Sequence, residues 1–334
     1  MASFDPRRTF NRLAGRAMNL PLGIAEQHLP LPIADRLGRL TGGSSLERSV
    51  AGKTILITGA SSGIGEAAAM RIGAAGGKVL LVARSEEKLG DIAARIAEHG
   101  GVAHSHPADL YNTDDIARLA DEVITEHGGV DILVNNAGKS IRRSLKYSLD
   151  REHDFERTLE LNYLAPVRLV LAFLPGMRER GFGHVVNVSS AAVQIRTPRF
   201  AAYTASKAAL DAFSDCAAAE LSHDGIRFTT ISMPLVRTPM IAPTAMYQRF
   251  PSLSPEQAAN RVCTAIVHRP RKIGVGYGAL SETIGAIDPV AMETIRNRAY
   301  KRFPESGSRS GDEPDPRPSG DQGAGATDPG EPAS

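Results

Sequence analysis

KTILITGASSGIGEAAAMRIGAAGGKVLLVARS, residues 53–85, holds two apolar runs separated by a glycine-rich turn and a helical period. The runs at 53–58 and 78–83 do not alternate apolar with polar residues. That is the pattern of parallel strands covered by helices on both faces, not of a half-solvated antiparallel sheet. Between them lies TGASSGIG, 58–65, in which Gly59, Gly63 and Gly65 let the backbone turn tightly and approach an anion at a helix N-terminus. Ser61, Ser62 and Ile64 complete that turn. Taken alone, the same string also suits an ordinary strand-to-helix turn.

The rhythm continues outward. Further apolar runs occur at 130–135, 184–189 and 227–232, with a short strand carrying His104 and His106 before Asp109. Helical periods are expected near 64–75, 86–98, 113–127, 154–179 and 201–222, giving an α/β, Rossmann-like, doubly wound parallel sheet in three αβα layers. Ser254, Pro255 and Gln257 have the spacing of an N-cap, first-turn proline and capping-box partner for a helix to about Val267. KIGVGYG, 272–278, reads as the edge strand. The expected organisation is an N-terminal appendage with short helices at 1–49, one catalytic domain at 50–303, and a disordered Gly-, Pro- and charge-rich tail at 304–334.

The 334 residues carry 39 Lys and Arg against 37 Asp and Glu, a balance without the electrostatic footprint of a nucleic-acid binder. Two cysteines, Cys216 and Cys263, suit a reducing compartment, so a cytoplasmic location is expected. Charges and prolines interrupt the leader as a signal peptide, and no apolar stretch is long enough to span a bilayer. Membrane contact would therefore be peripheral, through the N-terminal segment. The histidines show no zinc-site spacing, and no metal is expected.

Tyr203 and Lys207 stand four apart and share one face of a helix. An ammonium beside a phenol is expected to lower its pKa and make Tyr203 a general acid–base. The glycine spacing, Asp109, NNAG at 135–138, Ser190 and YTASK at 203–207 occur in the order of the short-chain dehydrogenase/reductase family, which this chain resembles. The resemblance implies catalysis by Asn162, Ser190, Tyr203 and Lys207, with Ser190 thirteen positions before the tyrosine (203 − 190) and neighbouring Ser189 as its competitor. It also implies that Asp109 and Leu110 hold the adenine and that Asn136, Ala137 and Gly138 line the cofactor groove, which Pro234, Val236 and Thr238 complete with Tyr203 and Lys207. The second strand ends in Ala83-Arg84-Ser85, where no carboxylate opposes a 2′-phosphate. Arg84 can pair with that phosphate, so NADP(H) is expected over NAD(H), the alternative being a solvated loop arginine.

Segments 137–171 and 233–259 look like bacterial long-chain fatty acyl-CoA reductases of this family. That resemblance implies reduction of an acyl thioester to an aldehyde; the rivals are a ketone or 3-oxoacyl reductase or alcohol dehydrogenase, and, further off, an NADP-binding protein without turnover. Leu235, Val236, Met240, Ile241, Met246, Tyr247 and Phe250 either cover an apolar chain or pack into the core. Arg142 and Arg143, with Arg196, Arg199 and Arg237, are candidates for binding CoA or carrier phosphates, each alternatively a solvated arginine. The family further implies a homo-oligomer joined through the helices near 154–179 and 201–222.

Overall fold

A computed structural model describes residues 45–241, 247 and 250–302. The leader, the tail beyond 302 and Met246 lie outside the described residues. After α1 (Ser45–Val50), strands and helices alternate as β1 (Thr54–Thr58), α2 (Gly63–Ala74), β2 (Lys78–Ala83), α3 (Glu86–Glu98), β3 (Val102–Pro107), α4 (Thr113–His127) and β4 (Ile132–Asn135). The second half holds α5 (Glu152–Leu159), α6 (Ala165–Glu179), β5 (Gly183–Ser190), α7 (Ala191–Ile195), α8 (Ala201–Leu221), β6 (Ile226–Met233), α9 (Pro255–His268), β7 (Lys272–Ile273), α10 (Gly276–Ile287) and α11 (Pro289–Arg302).

The seven strands form one parallel sheet in the order β3-β2-β1-β4-β5-β6-β7. The order reverses between β1 and β4, and in open α/β sheets ligands bind beyond the carboxyl ends of the strands at such a point. The uninterrupted apolar runs are explained by burial on both faces. Ile55, Ile57, Val79 and Leu81 belong to one core with residues of α2, α3 and α9, whereas Leu56, Leu80 and Val82 point into the other with residues of α4, α6 and α8. Side chains alternate across a strand, so each run needs apolar residues at both parities.

Local signals set several ends. Asn112 caps α4 by accepting from the Asp114 amide at 2.9 Å, and Gly128 ends it in the left-handed region. The Ser254–Gln257 capping box is formed. Elsewhere the sequence expectation needs correction. Helix α1 is not among the expected elements, and Val50, the first residue of the expected catalytic domain, is fully buried in the core. The expected edge strand at 272–278 is cut to two residues, with α10 starting at Gly276. The expected helix at 154–179 is broken by a π-helical turn, Glu160–Leu164. Among the described residues no helix is long and apolar enough to cross a membrane.

Candidate active site

The π-helical turn faces the start of α8. It carries the fully buried Asn162, whose Nδ2 donates to the Lys139 carbonyl and to Ser206 Oγ, each at 2.9 Å, while its Oδ1 accepts from the Lys139 amide at 2.8 Å. Ser206 Oγ in turn donates to the Tyr203 carbonyl at 2.8 Å. Asn162 thus ties the loop after β4 to the turn of α8 that holds the tyrosine. Lys207, one turn later, is buried and donates from Nζ to the Val188 carbonyl of β5 at 2.9 Å. A Cβ on Gly138 would stand 3.1 Å from Asn162 Oδ1 and 3.4 Å from Lys207 Nζ, so the backbone there closes on both groups.

Ser190 ends β5 and caps α7, accepting from the Ala192 amide at 3.1 Å, and its hydroxyl also lies against the Tyr203 phenol and favours the ionised form. Ser189 points the other way, buried beside Asp211. Of the two adjacent serines, the structure places the expected Ser190 beside the tyrosine and Ser189 away from it. Burial pushes the Tyr203 phenol above its ordinary value, an effect Ser190 opposes and Asp211 reinforces. Burial also lowers Lys207 to about 8, with Asp211 opposing, and raises Asp211 to about 6. Burial thus sets the direction, and the phenol is raised where the ammonium was expected to lower it.

The glycine turn fits a dinucleotide phosphate. Ser62, the N-cap of α2, makes no side-chain capping bond, which leaves first-turn amides to an anion. Thr238 packs over this turn: a Cβ on Gly63 would meet its Cγ2 at 2.9 Å. Asn136 does not simply line the groove. Its Nδ2 donates to the carbonyls of Thr58 and Gly59 at 2.9 and 3.3 Å, bracing the turn. Asp109 Oδ1 accepts from the Tyr111 amide at 3.1 Å, and Leu110 is core. Arg84 acts electrostatically on both Tyr111 and Lys139, and Lys139 is lowered by burial first and then by Arg157. The positive charge around this crevice suits a phosphorylated ligand.

Tyr247 stacks on Phe200 at 6.4 Å, and Phe200 meets Tyr203 edge-on at 6.3 Å. The apolar surroundings push Tyr247 up to about 12, with Arg142 opposing. Met240 is half exposed, whereas Pro234 and Val236 are buried, Val236 in the core. The arginines divide. Arg142 lies near Tyr247, but Arg143 pairs with Asp154 at 3.1 Å, Arg199 donates to the Tyr300 carbonyl and stacks on its ring, and Arg237 donates to the Ser252 carbonyl. Arg143, Arg199 and Arg237 thus have partners within the protein, and Arg196 is exposed in the left-handed region. Sequence reading missed Lys139, which follows NNAG directly, and Asp211, whose signal was its position four residues after Lys207. It also missed a grouping of His104, His106 and His127 on β3 and α4.

Residues 53–248 match the family model for short chain dehydrogenases. An uncharacterized oxidoreductase of Mycobacterium bovis is 54% identical over 274 residues, 81% of this chain and 80% of its own. A fatty acyl-CoA reductase of Acinetobacter baylyi is 49% identical over 265 residues, 79% of this chain and 90% of its own. Among solved structures, a metagenomic short-chain oxidoreductase in complex with NADP aligns with a TM-score of 0.58 at 34% identity, covering 66% of this chain and 92% of that one. A 3-ketoacyl-(acyl-carrier-protein) reductase from Brucella melitensis complexed with NADH gives a TM-score of 0.60 at 26% identity over 65% and 91%.

Proposed function

Since this oxidoreductase belongs to the short-chain dehydrogenase/reductase family, we propose that it reduces long-chain fatty acyl-CoA thioesters to aldehydes with NADPH. The observation that carries the substrate class is the 49% identity to the Acinetobacter fatty acyl-CoA reductase over most of both chains. The aromatic cover of Phe200 and Tyr247 beside Tyr203 supports it, because an acyl chain needs an apolar path to the reacting carbon.

NADPH, when bound, supplies the hydride. The residues manage the oxygen and its proton: Ser190 donates a hydrogen bond where negative charge develops, and Tyr203 delivers the proton. Lys207 stabilises the phenolate left behind, and Asn162 positions the loop and helix that frame them. A hemithioacetal collapsing to aldehyde and CoA thiol completes a balanced two-electron reduction.

Arg84 is assigned to the 2′-phosphate. Arg84→Ala is expected to weaken NADPH binding by about ten- to a hundredfold, the worth of a charge-assisted hydrogen bond, and to leave NADH little changed. Equal losses for both cofactors, measured by fluorescence titration, would remove that role.

The substrate assignment is tested by incubating the protein with NADPH and palmitoyl-CoA while following NADPH oxidation, free thiol and trapped aldehyde. Equal amounts of thiol and aldehyde support it. Consumption of NADPH only with ketones or 3-oxoacyl thioesters, without thiol, replaces it with the ketoreductase reading.

A further inference from the structure

His106 lies on the edge strand β3 and His127 at the end of α4, twenty-one residues apart, and their Nε2 atoms face each other at 3.1 Å. Two nitrogens bound to one tetrahedral zinc ion at its usual distances stand about 3.3 Å apart. Glu126 brings Oε2 to 3.8 Å from His127 Nε2, and one ligand atom from each of the three residues falls within a 4.8 Å cluster. On these distances we propose that His106, Glu126 and His127 bind one divalent transition-metal ion of the zinc class, clipping α4 to the edge strand. Nothing in the proposal depends on the substrate of the reductase.

The surroundings suit an ion. Glu122 places Oε2 4.0 Å from His106 Nδ1, on the far side of that ring, where a carboxylate orients a ligating imidazole. Arg118 holds Glu122 in turn, at 2.8 Å. The His104 ring packs on His127 with centroids 4.7 Å apart. Without an ion the two facing nitrogens share one proton; with a metal on both Nε2 atoms, the donating ring carries its proton on Nδ1 instead. Two imidazoles and a carboxylate with a water as fourth ligand match the preferences of zinc. No metal was expected from the sequence, because the two histidines lie on different elements and have no local spacing.

The test is calorimetric titration of the full-length protein, without a histidine tag, with zinc chloride. One zinc per chain with a dissociation constant on the order of micromolar or tighter is expected, with the melting temperature raised by about 5 degrees at saturation. His106→Gln, His127→Gln and Glu126→Gln should each weaken binding at least about tenfold, since even loss of a group that only supports a ligand costs that much. Glu126 is exposed, so its replacement reports on the metal even where a histidine variant fails to fold. His99→Gln, exposed and outside the cluster, should bind as the parent does. Absence of uptake at about a hundred times that concentration, or one equivalent retained by Glu126→Gln and every histidine variant that folds, would overturn the site.

Discussion

Tyr203→Phe is expected to lower turnover by about 10²- to 10⁴-fold, the range of a positioned general acid, while NADPH binding changes by less than about threefold. The substitution removes one oxygen and keeps the ring that packs edge-on against Phe200, so the fold has no reason to move. Burial already holds the phenol above its ordinary pKa, and Tyr203 is therefore protonated at neutral pH, the form needed to give a proton in a reduction. Lys207 adds a signature in pH. Its pKa of about 8 means that the ammonium is present below that pH and lost above it, and with it the charge that stabilises the phenolate. The kcat/KM for reduction should fall on an alkaline limb near pH 8. Turnover by the Phe variant within tenfold of the parent would place proton delivery elsewhere.

The doubly wound sheet was legible because runs such as 54–58 and 78–82 are buried on both faces and leave no other strand pattern. The same holds for the Tyr203–Lys207 pair, whose spacing alone places both on one helix face. The π-helical turn was not legible. A single extra residue in a helix barely disturbs the apolar period, yet it brings Asn162 to the Lys139 backbone. Charge pairing across segments was equally hidden, since nothing local announces that Arg143 meets Asp154 or that Arg199 stacks on Tyr300, 101 residues later. Pairwise electrostatics also misled. The spacing argued for a lowered phenol, but burial, a property of the whole fold, raises it.

Gly65→Ala is the second large effect, and it separates the cofactor turn from the rest of the domain. Gly65 is buried in the first turn of α2, where an added Cβ would stand 2.3 Å from the Gly59 carbonyl oxygen and 2.7 Å from Asn136 Nδ2. Both neighbours are fixed: the first is backbone, and the second is the amide that braces the turn through Thr58 and Gly59. Relief requires the turn to lift from the helix, at a cost of about 1–3 kcal/mol for overpacking. The amides of the first turn then no longer converge on a phosphate, and NADPH affinity should drop at least about tenfold, together with a lower melting temperature. Gly90→Ala provides the contrast. Gly90 is exposed within α3 and a Cβ there meets nothing within 4 Å, so helix propensity alone acts and stability should rise by about 0.5–1 kcal/mol with cofactor binding intact. Isothermal titration with NADPH and a melting curve on each variant decide the matter. If Gly65→Ala binds NADPH as the parent does, the glycine is there for helix packing alone and the phosphate must be held elsewhere in the crevice.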